Sequence, residues 1–238
     1  MASDKSIQTP KSSDTIATSA DVDACLANIR QIPASGLGGG TGRLIFALDA
    51  TASRQSTWDV ACQLQAKMFR EVSSVGSLNI QLVYYRGLSE CKASRWASRA
   101  DQLLGLMERI VCHAGETQIG KILAHTKKET QLLKVAALVF VGDAMEENPA
   151  TLISDADALG RFGVPVFMFQ EGNDRAVENV FRQIASCSHG AYCSFDAGAA
   201  KQLGQLLKAV ALYAVGGMKA LEGRTDAASV KLIGQLKA

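Results

Sequence analysis

Two aspartates in this sequence follow short apolar runs, and hydroxyl side chains come close behind the first of them. Asp49 directly follows one such run, with Thr51 and Ser53 two and four residues later. Asp143 comes at the end of a second run, residues 135–141. Carboxylate and hydroxyl oxygens are the ligands that hard divalent cations such as Mg²⁺ accept in proteins. If the two runs are neighbouring parallel strands, these side chains meet at one edge of the sheet and predict a metal site there.

The elements that would position these side chains follow from the hydrophobic pattern. Short continuous apolar runs indicate buried strands, and apolar residues at helical spacing indicate amphipathic helices. Strands are therefore predicted at residues 43–49, 78–85, 91–97, 135–141, 164–169 and 191–195. Helices are predicted at residues 57–72, 101–111, 118–132, 149–162, 174–186 and 199–215. This alternation predicts a doubly wound, Rossmann-like, mostly parallel α/β sheet with helices on both faces and segment 91–97 as an antiparallel edge strand.

A third motif adds to the two aspartates. Thr117 lies in the segment Gly-Glu-Thr-Gln, which presents a hydroxyl just before a predicted helix. Asp, Ser and Thr after strands often serve only as turn or helix-capping residues. Here Ser56 or Thr57 can cap the helix that follows the first strand, which leaves the earlier side chains of that loop free to bind an ion.

The order and spacing of these motifs resemble the von Willebrand factor A family over about residues 43–215. In that family an Asp-x-Ser-x-Ser loop, a Thr in a later loop and an Asp after the fourth strand form a metal-ion-dependent adhesion site. The resemblance implies an Mg²⁺ site, with Mn²⁺ or Ca²⁺ as alternatives, formed by Asp49, Thr51, Ser53, Thr117 and Asp143. It implies that the hydroxyls contact the ion directly, that of Thr117 only in a ligand-bound form, and that the aspartates act largely through water.

The chemistry of such a site favours adhesion over catalysis. Neutral hydroxyls do not cancel the charge of the ion, so it can recruit an Asp or Glu carboxylate from a partner protein. The resemblance therefore implies a protein-interaction module, not an enzyme, in a small stand-alone cytoplasmic protein of bacterial type that acts as a stress-response or assembly adaptor. Two features depart from the family pattern. Thr51 replaces the usual Ser but keeps the hydroxyl, and the segment after Asp143, where the family often has Gly, contains Glu146 and Glu147. These two glutamates start a solvated helix, enter the second metal shell, or repel an acidic partner.

Two other functions fit the sequence less well. A Mg²⁺-dependent phosphohydrolase would use Asp49 as its nucleophile, but haloacid dehalogenase phosphatases place a second Asp where Thr51 stands here. A nucleic-acid role with a vestigial metal site is disfavoured by the charge balance, since 25 Lys and Arg against 23 Asp and Glu leave a net charge of only +2.

Length and composition give the domain plan and the compartment. The 238 residues suit one α/β domain. Residues 1–42 are predicted as a disordered extension with a short helix at 21–32 and a glycine-rich linker, 43–222 as the von Willebrand factor A-like domain, and 223–238 as a tail. The sequence shows neither a secretory signal nor an apolar stretch near the roughly 18 residues that span a bilayer, so we expect a soluble cytoplasmic protein with no membrane or nucleic-acid partner. Six cysteines without a Cys-x-x-Cys pair argue against zinc and for reduced, buried thiols.

Overall fold

The computed structural model describes residues 42–55 and 78–195, together with Lys208, Val210, Ala211, Ala214 and Val215. The predicted helices at 21–32 and 57–72, the predicted tail and the linker up to residue 41 lie outside the described residues. So does most of the predicted final helix, although the five separate residues named above are helical.

The described strands follow the predicted order closely. They are β1 (Gly42–Asp49), β2 (Leu78–Arg86), β3 (Glu90–Ala93), β4 (Ala137–Gly142), β5 (Val166–Glu171) and β6 (Tyr192–Phe195). A short 3-10 turn, Ala52–Arg54, follows β1. The edge strand β3 is shorter than predicted because its pairing with β2 ends at Ala93.

The described helices are α1 (Ala100–Met107), α2 (Ile119–Leu132), α3 (Pro149–Arg161) and α4 (Arg175–Cys187). Asn148 and Asp174 cap α3 and α4, since each side chain accepts hydrogen bonds from two backbone N–H groups of its helix. Helix α1 ends four residues before the predicted limit, at Met107, and the chain then continues through a turn. None of the helices in this described part of the chain has the length and apolar character needed to span a bilayer.

The sheet has the order β3-β2-β1-β4-β5-β6. Every neighbouring pair is parallel except β2 with β3, which is antiparallel. The chain builds outward from β1 on one side and then returns to its other side with β4, so the strand order reverses between β1 and β4. Ligands of doubly wound sheets bind outside the carboxyl ends of the strands at such a reversal. The predicted fold class is confirmed, and the ends of β1 and β4 are neighbours as the metal-site prediction requires.

Two apolar cores enclose the central strands. All eight residues of β1 and all six of β4 are buried, as expected of strands covered on both faces. Alternate residues of β1 point to opposite faces. Leu44, Phe46 and Leu48 pack in one core with α1 and the described part of the final helix. Ile45 and Ala47 pack in the other core with α2, α3 and α4. The sheet therefore carries helices on both faces and holds its carboxyl edge rigidly.

Candidate metal centre

The loop after β1 fixes the carboxylate of Asp49 on both of its oxygens. Oδ1 accepts a hydrogen bond from the backbone N–H of Thr51 at 2.7 Å, and Oδ2 accepts one from the hydroxyl of Tyr85 at 2.9 Å. Asp49 is 0% exposed. Burial is the main cause that raises the pKa of Asp49, while the hydrogen bonds from Thr51 and Tyr85 act in the opposite direction. Burial also raises the pKa of Tyr85 well above its ordinary value, so its hydroxyl remains a donor to Asp49.

The two hydroxyls of the same loop lie side by side. Oγ1 of Thr51 and Oγ of Ser53 are 3.0 Å apart. Adjacent ligands of an octahedral Mg²⁺ at about 2.1 Å from the ion are about 3 Å from each other, so the pair has the spacing that two neighbouring ligands need. Thr51 is buried and Ser53 is exposed. The 3-10 turn produces this arrangement, because its bond from Arg54 N to Thr51 O at 3.1 Å curls the loop back over the end of β1.

Asp143 lies at the end of the neighbouring strand with one oxygen unsatisfied. Its Oδ1 is buried and has no hydrogen-bond partner among the described residues. The backbone of β4 passes close to Asp49 at this point, since a Cβ added to Gly142 would lie 3.3 Å from Cβ of Asp49 and 2.8 Å from the ring of Phe140. The negative charge of Asp143 makes a smaller, upward contribution to the pKa of Asp49. The two carboxylates are therefore electrostatic neighbours.

Thr117 is joined to the segment after Asp143 by a reciprocal pair of hydrogen bonds. The backbone N–H of Thr117 donates to Oε2 of Glu146 at 2.9 Å, and the backbone N–H of Glu146 donates to Oγ1 of Thr117 at 2.9 Å. Glu147 accepts from the backbone N–H groups of Ile119 and Gly120 at 2.6 and 2.8 Å. Gln118, at the start of α2, makes no capping hydrogen bond through its own side chain. Glu147 therefore caps α2 from another loop.

These contacts correct the expectation that Glu146 and Glu147 start a solvated helix. Helix α3 begins only at Pro149 and is capped by Asn148. The two glutamates instead bind the segment that presents Thr117 and the amino terminus of α2. Sequence reasoning missed this role. No signal in the sequence pointed to this role, because Thr117 directly precedes the predicted helix and is itself a residue type that caps helices.

The Thr117 segment is also held by the β2–β3 turn and by the loop after β1. The carbonyl of Gly87 accepts from the backbone N–H of Glu116 at 3.3 Å and from Nε2 of Gln118 at 3.1 Å. A Cβ added to Gly115 would lie 2.1 Å from that carbonyl oxygen. The backbone N–H of His113 donates to Ala50 O at 3.1 Å. The loops carrying the five predicted ligands are thus connected at one edge of the sheet.

A buried arginine lies in the same place and was not predicted as part of the centre. Arg54 is 0% exposed and forms an ion pair through Nη1 with Oε2 of Glu171, at the end of β5. Burial lowers the pKa of Arg54, and the charges of Asp143 and Asp49 act against that shift. Guanidinium groups keep their proton in proteins, so the centre contains a permanent positive charge. The only sequence signal was an arginine directly after Ser53.

Other candidate residues lie elsewhere or play packing roles. His113 is exposed, and His125 is half-buried with Nε2 2.9 Å from Oε1 of Gln81. Cys112 is buried, which raises the pKa of its thiol to about 11. The described cysteines are free thiols. No three His, Cys, Asp or Glu side chains of the described ranges group as a metal-binding set. A metal centre here must therefore rely on hydroxyl ligands beside its carboxylates.

Comparisons with known proteins support the fold. No protein-family profile matches the sequence, and no curated protein is significantly similar to it. Solved structures do match. A von Willebrand factor type A protein from Catenulispora acidiphila has a TM-score of 0.58 and 13% identity, with 71% of this chain and 42% of that chain covered. The SpRpn10 VWA domain has a TM-score of 0.56 and 11% identity, with 73% and 95% covered.

A third solved structure is that of an aerotolerance-related membrane protein from Bacteroides fragilis. It has a TM-score of 0.54 and 17% identity, with 71% of this chain and 98% of that chain covered. Identities this low establish a shared fold only. Together with the sheet order, they show that the chain has an α/β fold like that of von Willebrand factor A domains.

Proposed function

We propose that this chain is a divalent-metal-dependent protein-interaction module. Mg²⁺, or Mn²⁺ or Ca²⁺ in its place, is held by the set Asp49, Thr51, Ser53, Thr117 and Asp143, and a partner protein completes the shell with an Asp or Glu carboxylate. We further propose a cytoplasmic location and a role as a stress-response or assembly adaptor.

The observation that carries this proposal is the unsatisfied oxygen of Asp143. A buried carboxylate oxygen without a partner is costly, and such atoms in native proteins call for a specific explanation, such as a missing ion or water. Asp143 is an electrostatic neighbour of a second carboxylate, that of Asp49, whose loop also carries the paired hydroxyls of Thr51 and Ser53. A divalent cation with its bound water suits this donor set, because the ligands are all oxygens and several coordination positions remain for water.

The exposure of the ligands indicates how a partner gains access. Ser53 is exposed while Asp49 is fully buried, so the ion would lie between the buried carboxylate of Asp49 and solvent. An ion held mainly by neutral hydroxyls keeps enough charge to attract a carboxylate. Glu146 and Glu147 are not free to compete with a partner carboxylate for the ion, since both accept backbone hydrogen bonds from the Thr117 segment and α2.

The environment of Asp49 supports ion binding over phosphoester hydrolysis. A nucleophilic carboxylate must reach its substrate, whereas both oxygens of Asp49 accept internal hydrogen bonds and the residue is buried. A phosphate-release assay on generic phosphoesters separates the two functions. Release that depends on Asp49 would favour the phosphohydrolase.

Calorimetric titration with Mg²⁺ and Mn²⁺ tests the metal site. Asp49→Ala removes the carboxylate, and Asp49→Asn removes its charge while keeping an acceptor for Tyr85. Both variants are expected to lose metal binding and keep the folded circular dichroism spectrum. Asp101→Ala is the matched control, because Asp101 is an exposed aspartate on α1 that pairs with Arg99, and it should bind as the wild type does. Equal affinity in wild type and Asp49→Asn would contradict the proposal.

Affinity capture then tests the interaction. Wild-type protein is used as bait in Mg²⁺ and in EDTA, and Asp49→Asn is used in Mg²⁺. A partner of the proposed kind is lost under both perturbations and retained by Asp101→Ala.

A further inference from the structure

The carboxyl edge of the sheet carries more negative charge than a two-aspartate site requires. Asp49 ends β1, Asp143 directly follows β4, and Glu171 ends β5. The register between β4 and β5 pairs Gly142 with Gln170, so the next residues, Asp143 and Glu171, lie side by side at this edge. Three carboxylates at one partly buried edge repel one another unless a cation lies among them.

Arg54 is the cation that the chain itself provides. Its side chain starts from the loop after β1, is wholly buried and reaches Glu171. It thus crosses the end of β4, where Asp143 lies. The electrostatic influence of both Asp143 and Asp49 on Arg54 agrees with this placement. The guanidinium therefore pairs with Glu171 and lies within the electrostatic influence of Asp143 and Asp49.

We propose that Arg54 is an internal counter-cation of the metal centre, which stabilises the ion-free carboxylates and thereby weakens the affinity of the centre for divalent ions. The effect of Arg54 on metal affinity rests on the proposed metal-dependent function, whereas its stabilisation of the ion-free carboxylates does not. A fixed positive charge near a divalent ion opposes its binding, and in a partly buried setting the effect on affinity is on the order of 10-fold or more.

The consequence is a centre whose affinity for the ion alone is low. The binding of the ion and the binding of the partner are thermodynamically linked. If the partner carboxylate raises the affinity of the centre for the ion by some factor, the ion raises the affinity for the partner by the same factor. Arg54 weakens binding of the ion alone, so the occupancy of the centre by the ion depends more strongly on the partner.

Two substitutions of similar length separate charge from packing. Arg54→Met removes the positive charge, and Arg54→Lys keeps it. Calorimetric titration with Mg²⁺ is expected to show binding about 10-fold tighter in Arg54→Met than in wild type and within about 3-fold of wild type in Arg54→Lys. Unchanged or weaker binding in a folded Arg54→Met protein would overturn the proposal, since it would make Arg54 a packing or ligand-positioning residue.

Glu171→Gln provides the test if Arg54→Met fails to fold. This change leaves the arginine in place and removes the carboxylate that offsets it, so Mg²⁺ should bind several-fold more weakly than in wild type. Equal or tighter binding in Glu171→Gln would again overturn the proposal.

A measurement without metal distinguishes failure of this inference from failure of the proposed function. If neither the wild type nor any variant binds Mg²⁺, the metal-dependent function is wrong, and thermal unfolding in EDTA still tests the counter-cation. The midpoint lost in Arg54→Met should be partly regained, by about 3 °C, in the double variant Arg54→Met/Asp143→Asn, because one repelling carboxylate is gone. If the midpoint loss of the double variant equals the sum of the losses of the two single variants, Arg54 does not balance the charge of Asp143.

Discussion

The two ends of β1 each have a buried arginine, and the surroundings of these two residues differ. Arg43, at the amino end, donates to Oε2 of Glu129 at 2.8 Å and to the carbonyl of Leu133. Its guanidinium also lies 3.9 Å from the ring centre of Trp96. Trp96 in turn donates from Nε1 to the same carboxylate oxygen of Glu129 at 3.0 Å. No buried side-chain nitrogen or oxygen of Arg43, Glu129 or Trp96 lacks a hydrogen-bond partner.

The carboxyl end of β1 contains similar groups, but not all of their buried polar atoms have hydrogen-bond partners. Arg54 pairs with Glu171 and is influenced by two further carboxylates, and one oxygen of Asp143 has no hydrogen-bond partner among the described residues. A closed ion-pair network fixes structure, whereas an incomplete one is a place where a ligand can add stability. The comparison indicates that burial of an arginine does not by itself mark a functional site. What distinguishes the carboxyl end is its surplus of carboxylate oxygen.

Removing Arg43, at the amino end of β1, should have the largest effect on stability. Arg43→Met leaves Glu129 partly buried without its cation, and breaking such a pair costs about 3 kcal/mol. The free energy of unfolding, measured with urea, should fall by about that amount, while the Mg²⁺ affinity of the folded protein should stay as in wild type. A change in Mg²⁺ affinity as large as that expected for Arg54→Met would remove the distinction between the two ends.

A substitution in the loops at the carboxyl end should have an intermediate effect. Gly115→Ala places a Cβ 2.1 Å from the carbonyl oxygen of Gly87, which forces the backbone of the Thr117 segment to move. Unfolding should become easier by about 1 to 3 kcal/mol, and Mg²⁺ should bind more weakly because Thr117 is displaced. Urea unfolding and calorimetric titration measure the two effects.

Gly105→Ala is the matched control for this change. Gly105 lies inside α1 with open space where a Cβ would stand. The alanine should stabilise the protein by about 0.5 to 1 kcal/mol and leave Mg²⁺ binding unchanged. If Gly115→Ala behaved like Gly105→Ala, the close packing of the Thr117 segment would not matter for the centre.

The smallest expected effect concerns the pH dependence of stability and His125, in the middle of α2. Burial lowers the pKa of His125 from its ordinary value of 6.5, with Glu129 acting against that shift and Lys128 with it. The unfolded chain then takes up a proton near pH 6.5 before the folded chain does. The contribution of His125 to stability is therefore full above pH 6.5 and is lost as the pH falls through the lowered pKa.

His125→Gln should flatten this part of the stability profile by less than about 1 kcal/mol, because the half-exposed ring is screened by solvent. Urea unfolding at pH 7.5 and 5.5, for variant and wild type, provides the measurement. An unchanged pH dependence in His125→Gln would show that other groups govern it. Since the ring of His125 is hydrogen-bonded to Gln81 of β2, which is not one of the predicted ligands, its replacement should not alter Mg²⁺ affinity.

The sequence predicted the frame of the molecule because the frame depends on local pattern. The apolar runs of β1 and β4 are buried on both faces, and their short length favoured strands over helices. The position of Asp49 and Asp143 at one edge then followed from the parallel direction of the two strands, whose carboxyl ends lie at the same edge of the sheet. The limits of β3 and α1 were less accurate, because they depend on where pairing and turns end rather than on hydrophobicity.

The contacts that complete the centre could not be predicted in the same way. Arg54 is a charged residue in a polar loop, and its full burial depends on Glu171, which lies more than a hundred residues away in the sequence. Glu146 binds the N–H group of Thr117, and Glu147 binds those at the start of α2, a segment and a helix that both precede them in the chain. These are long-range pairings of polar groups, and a single sequence carries no period or motif that announces them.

The carbonyl of Gly87 has a consequence for recognition. By accepting hydrogen bonds from Glu116 and Gln118, it immobilises the segment around Thr117 before any other molecule approaches. Ordering a free backbone residue costs about 1 to 2 kcal/mol, and a segment that is already fixed avoids that penalty at the moment of docking. A visiting protein would therefore meet a preformed surface, and this segment should keep nearly the same shape in the free and the docked states.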